Sequence, residues 1–285
     1  MSKLTRDRKK SKKRRFKLFR TIGLRNIWRI WRRRINKHVL VTKSVSNYVE
    51  LFSAEAMPKY LVDLYGISLR EHNGGMQIEL SEALFLGLLV RITGARSILE
   101  IGTFRGWSAA VLAQALYDMH GKGVARENDS DDSTKQEHIS RGMSDVKIKT
   151  IELRQEQASE AHGFWTAHLT EGVQALIELI PGNAQQIIQD FDKEYVGTLN
   201  LIFIDADKAG YEHYIRLLAP NINSGALIVL DNMLNAGLVA TSATDRTSVS
   251  IRELNKKLIT DTEMKEWFDV SLIPAWDGVV ILRKK

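Results

Sequence analysis

An α/β fold, a mostly parallel sheet with helices on both faces and one antiparallel strand, is predicted by three features of the sequence. Four short apolar runs, at residues 97–101 (SILEI), 146–152, 175–180 and 199–205 (the last containing LNLIFID), alternate with helical patterns. A fifth, at 226–231 (ALIVLD), follows a helical segment around Tyr211 to Leu218. Alternation with short connections specifies parallel strands and helical crossovers. The last two runs, 270–273 and 278–282, are separated only by Pro274-Ala275-Trp276-Asp277. That is too little chain for a helical crossover, so these two pair antiparallel.

Length and charge divide the chain. Its 285 residues suffice for one sizeable core with an appendage. The formal charge of +7 conceals an asymmetry: residues 1–43 hold 18 of the 41 Lys and Arg but a single acid, Asp7. The arm is thus near +17 and the remainder near −10, and the basic pI describes the arm alone. The reading is a basic N-terminal arm over 1–43 and one domain over 44–285. The chain has no cysteine, which excludes disulfides, thiolate metal sites and cysteine nucleophiles, so any metal is held by oxygen or imidazole.

In chain order, residues 1–15 read as a solvated basic arm. From Ile22 to Ile35, helical spacing gathers Leu24, Ile27, Trp28, Ile30, Trp31 and Ile35 on one side and Arg25, Arg29, Arg32 and Arg33 opposite. Such a helix suits an anionic membrane interface, with 16–41 as the contacting stretch. Packing on the domain or a second subunit, nucleic-acid binding and organellar targeting remain alternatives, the nucleic-acid reading weakened by the lack of an aromatic stacking platform. Residues 44–75 form a helical lead-in broken at Pro58 and at Asn73-Gly74-Gly75, and 79–92 reads as an apolar helix. Residues 121–145 are polar and read as a flexible surface insertion. No run reaches the length of a membrane span and no secretory core is present. A cytoplasmic protein is expected, peripheral at a membrane if the arm finds one.

In an open parallel sheet, ligands sit beyond the carboxyl ends of the strands. After the first run comes Glu100-Ile101-Gly102-Thr103-Phe104-Arg105-Gly106-Trp107-Ser108, a glycine-bearing turn into a helix that is either a ligand loop or a turn in its own right. The second run ends at Glu152, placed to accept two ribose hydroxyls; turn and acid together point to a nucleoside. Gly182-Asn183-Ala184 is either an adenine wall or an ordinary turn. The fourth and fifth runs end in Asp205-Ala206-Asp207-Lys208 and Asp231-Asn232. Asp205 and Asp231 each terminate an apolar run, where a bound cation would offset the cost of a buried carboxylate. Oxygen ligands select Mg²⁺, Ca²⁺ or Mn²⁺ over zinc.

The segments ILEIGTFRGWSA, FIDADKAGYEHY and VLDN, in this order, make residues 70–285 resemble the metal-dependent, S-adenosylmethionine (SAM) dependent O-methyltransferases of the catechol and caffeoyl-CoA type, including bacterial members. The resemblance implies a Rossmann-like sheet of seven strands and, from the family alone, a homodimer. It implies SAM contacts at Met76, Ile78, Glu100, Gly102, Ser108, Glu152, Ala184 and Asp207. It implies metal ligands at Asp205, Asp231 and Asn232, and a general base at Lys208. Two positions depart from the pattern: Asn183 replaces a frequent acid, and Asn235 stands where plant members carry a tryptophan. The expected reaction is methylation of a catechol-like or phenolic hydroxyl on a small molecule, aided by a divalent cation, Mg²⁺ foremost. The alternatives are a catalytically silent, membrane-docked binding protein and a methyltransferase acting on a macromolecule.

Overall fold

A computed structural model describes residues 43–71, 76–121 and 143–285. The expectations for the basic arm, for Asn73-Gly74-Gly75 and for most of the insertion fall outside these residues. The chain divides at Val49 and Glu50 into two units, and the sheet and the cleft lie in the second.

Its frame is a seven-stranded sheet in the order β3-β2-β1-β4-β5-β7-β6. The strands are β1 (Ser97–Ile101), β2 (Lys147–Glu152), β3 (Ile177–Pro181), β4 (Leu201–Ile204), β5 (Leu227–Leu230), β6 (Phe268–Ile273) and β7 (Val279–Lys284). β1 to β5 pair parallel, whereas β7 runs antiparallel to both β5 and β6. The predicted parallel sheet with an antiparallel closing strand is therefore present, in Rossmann-like order. Two strands start two residues later than their apolar runs: Ala175 closes a short helix, Glu171–Gln174, so β3 begins only at Ile177, and β4 begins at Leu201.

Alternation along the strands feeds two cores. Leu201 and Phe203 of β4 join one apolar layer, Ile202 and Ile204 the other. The first layer is covered by α3 (Leu80–Thr93) and α4 (Trp107–His120), which follow α1 (Lys43–Ala56) and α2 (Lys59–Glu71). Pro58 separates α1 from α2, as predicted. α5 (Gln155–His168) and the short α6 (Glu171–Gln174) complete that side; α7 (Ala184–Gln189), α8 (Lys193–Thr198), α9 (Tyr211–Leu218), α10 (Arg246–Thr260) and α11 (Thr262–Trp267) follow. The segment 233–250 becomes helical at Arg246, where the Asp245 carboxylate accepts the Ser248 N–H at 2.8 Å and caps α10.

Two contacts set the register of the site. Asn200 Oδ1 accepts from the N–H groups of Arg96 and Ser97, at 2.9 and 3.2 Å, tying the start of β1 to that of β4. The parallel register then aligns Ile101 with Ile204, and Ile204 with Leu230. The residues after these strands, Gly102, Asp205 and Asp231, consequently lie side by side at one end of the sheet.

Candidate active site at the carboxyl ends of the strands

The turn after β1 is built around backbone that only glycine accommodates. Gly102 has φ +99°, and a Cβ there would overlap the backbone carbonyl of Asp205. Gly106, at φ +84°, lies against the Trp165 indole, whose Nε1–H donates to the Gly106 carbonyl at 2.8 Å. Glycine thus lets the turn approach β4 and lets α4 start against α5. Glu100 and Ser108 stand behind this turn, and neither lines the cleft. The Glu100 carboxylate is fully buried and accepts the Thr150 hydroxyl at 2.5 Å. Burial pushes it up to about 7, against hydrogen bonds from Ser108 and Thr150.

Glu152, buried at the cleft wall, accepts the Phe104 N–H at 2.8 Å and the Arg154 N–H at 2.9 Å. Each carboxylate oxygen retains a further lone pair for a ligand hydroxyl. Phe104 itself adopts φ +50°. Met76, Ile78, Gly102, Ala184 and Asp207 share the same cleft. Asn183 serves first as a helix cap, its side chain accepting from the N–H groups of Gln185 and Gln186, which satisfies donors at the start of α7. Asn183 also lines the cleft. Asp207 accepts the Tyr214 hydroxyl at 2.6 Å.

At the other end of the cleft the acids converge. Lys208 Nζ donates to Asp205 Oδ1 and to the Tyr211 hydroxyl, both at 2.7 Å. The Tyr211 hydroxyl, fully buried, donates in turn to the Asp231 carbonyl at 3.2 Å. Asn232 has φ +58° and donates its N–H to Asp231 Oδ1 at 2.6 Å. Burial first, then the charge of Asp205, raises Asp231 above the usual carboxylate range. A third acid, Glu82 of α3, was not singled out from sequence. It is 4% exposed, lines the cleft, and its Oε1 has no hydrogen-bond partner. Burial, then the adjacent Asp231, raises it strongly.

The cleft joining these groups encloses about 1010 Å³. Its outer wall is the turn between β6 and β7, laced to the segment after β5: Met233 N donates to Gly278 O, Leu234 N to Asp277 O, and Ala236 N to Asp277 Oδ1. Trp276 and Asn235 both face the cleft from this wall.

Among the described residues, no cluster of three or more His, Cys, Asp or Glu side chains is arranged to hold a metal ion. Asp205, Asp231 and Asn232 are a different donor set, two carboxylates and an amide on adjacent strand ends. Their oxygen chemistry fits a hard divalent cation, and the unpartnered Glu82 oxygen and the mutual repulsion of the acids are both relieved by positive charge.

The O-methyltransferase family model matches residues 50–142 and 140–285. Tricin synthase 1 of Oryza sativa subsp. japonica is 31% identical over 257 residues, 87% of this chain and 91% of that protein. Caffeoyl-CoA O-methyltransferase of Populus kitakamiensis is 26% identical over 263 residues, 87% of this chain and 96% of that protein. The fold matches that of the Bacillus cereus O-methyltransferase solved with S-adenosylhomocysteine, with TM-score 0.63 at 21% identity, covering 84% of this chain and 97% of that one. The chain belongs to the O-methyltransferase family and is a SAM-dependent O-methyltransferase.

Proposed function

We propose that the enzyme methylates one hydroxyl of a small catechol-like or phenolic acceptor, with a divalent cation held by Asp205, Asp231 and Asn232. The observation that carries this is the convergence of these oxygen donors with Lys208 at one end of a cleft whose other end offers a nucleoside subsite. Met76, Ile78, Gly102, Glu152, Ala184 and Asp207 hold SAM, which supplies a methyl group on an electrophilic sulfonium. Glu100 and Ser108 act from behind, holding the glycine turn. When bound, the cation, Mg²⁺ in this reading with Ca²⁺ and Mn²⁺ as alternatives, supplies Lewis acidity toward a hydroxyl oxygen.

Lys208 is the amine at this end of the cleft and, in its neutral form, takes the hydroxyl proton on the Nζ lone pair. Tyr211 fixes its position through a hydrogen bond relayed to the backbone of Asp231. Carboxylates gather at the ribose and cation subsites, and tight anionic binding of the sulfonium, which loses its charge during transfer, would favour the ground state. Binding of Mn²⁺ followed by electron paramagnetic resonance tests the donor set: the Asp231→Ala protein is expected to lose the bound-ion signal while retaining SAM. Unchanged Mn²⁺ affinity would refute the assignment.

For location, we take the enzyme to be cytoplasmic, with residues 16–41 contacting anionic membrane surfaces. The concentration of positive charge and tryptophan in that stretch supports this, and co-sedimentation with phosphatidylserine vesicles, lost when residues 1–41 are removed, tests it. Leu88 and Ile92 expose one apolar face of α3, which a second copy would cover; light scattering distinguishes dimer from monomer.

A further inference from the structure

Trp276 is an unusual residue for its position. It adopts φ +51°, a left-handed backbone that is a genuine outlier for a bulky side chain and that persists only where the surroundings enforce it. Here they do. Its Nε1–H donates to the Ser81 hydroxyl at 2.7 Å, and its ring packs on Phe85 at 5.4 Å between centroids. The indole is thereby held at the cleft wall beside Asn235 and Asp277, one residue of α3 away from Glu82. Phe104 and Tyr214, the other aromatic side chains lining the cleft, are tied to the opposite end through Glu152 and Asp207.

The charge of the cleft is equally specific. Seven carboxyl groups line it, against two basic side chains, Arg154 and Lys208. Lys208 is already engaged by Asp205. A divalent ion offsets only part of this surplus. An acceptor carrying several phosphate charges would meet repulsion here, whereas an uncharged or cationic ring would not.

Resting on the O-methyl transfer reading above, we propose that Trp276 is the wall on which the acceptor ring lies, and that the acidic cleft selects uncharged or cationic phenols over coenzyme A thioesters. An ammonium on the acceptor gains from the acids and from the indole face alike.

The test uses the full-length enzyme with Mg²⁺ and four acceptors of one ring type: dopamine, catechol, caffeate and caffeoyl-CoA. Steady-state methylation is measured alongside binding, the latter by the part of the tryptophan quenching that Trp276→Phe removes. The expected order of kcat/KM and of affinity is dopamine, catechol, caffeate, then caffeoyl-CoA, with at least about a tenfold gap between the first and last. Trp276→Ala is expected to raise KM for catechol about tenfold, with a smaller change in kcat and unchanged SAM affinity by calorimetry, and Trp276→Phe to restore most of the loss. Preference for caffeoyl-CoA, or quenching that ignores Trp276, would overturn the proposal. Absence of methylation of all four while SAM binds would instead refute the O-methyl transfer reading, and the quenching order would still decide this one.

Discussion

Replacement of Gly102 by alanine probes the join between the cofactor turn and the metal-binding strand end. The native φ of +99° at this position is one that L side chains rarely adopt, and the added Cβ would overlap the carbonyl of Asp205. Strain in such a backbone conformation costs about 1–3 kcal/mol, and forcing atoms into a packed site adds roughly 1–3 kcal/mol more. The carbonyl cannot yield freely, because Asp205 N is bonded to Ile101 O at 2.9 Å and its carboxylate to Lys208. A loss of about 2–6 kcal/mol translates into a fall in Tm of roughly 4–24 °C for a domain of this size. Because relief of the overlap must move either the turn or the strand end, SAM affinity should fall more than tenfold, about 1.4 kcal/mol or more, and Mn²⁺ affinity should weaken with it. Differential scanning calorimetry and isothermal titration give both readouts. A Gly102→Ala protein with native Tm and native SAM affinity would refute the reasoning.

Other expectations follow from single groups. Glu100, pushed up to about 7 when folded, holds its proton more tightly in the folded than in the unfolded chain. Its contribution therefore favours folding at low pH and falls away as pH rises from about 4.5 to 7, by up to roughly 3 kcal/mol. Denaturant titrations should show the stability of Glu100→Gln relative to the native protein rising between pH 5 and pH 8; a pH-independent difference would contradict the buried-acid argument. Tyr211→Phe removes the hydroxyl between Lys208 and the Asp231 carbonyl, at a cost of about 1–3 kcal/mol in stability. Methyl transfer should drop about tenfold or more while SAM affinity holds, as separate kinetic and binding measurements would reveal.

Much of this architecture was legible because apolar runs and strand ends carry the signal. The run SILEI coincides with β1, and the acids closing the fourth and fifth runs became neighbours once the strands paired in register. What escaped the sequence did so for definable reasons. Glu82 lies within the apolar stretch of α3, where an isolated acid reads as a solvated residue of a helix face. Only the packing of α3 over the strand ends turns it toward Asp231. Trp276 sits in a four-residue connection that reads as a turn, and its role depends on Ser81 and Phe85, nearly two hundred residues earlier. α10 carries a weaker signal: Ile251, Leu254 and Leu258 recur at helical spacing after the capping Asp245, but inside a polar stretch.

The central claim, hydroxyl methylation at the Asp205, Asp231 and Asn232 corner, is tested most directly by one product analysis. The enzyme is incubated with SAM and a catechol, and with the same ring bearing a single hydroxyl, in the presence of Mg²⁺ or EDTA, for the native and Asp231→Ala proteins. The predicted result is one methyl group on one oxygen of the catechol, dependent on Mg²⁺, abolished by Asp231→Ala and far weaker for the single-hydroxyl ring. Equal methylation in EDTA, or full activity of Asp231→Ala, would contradict it.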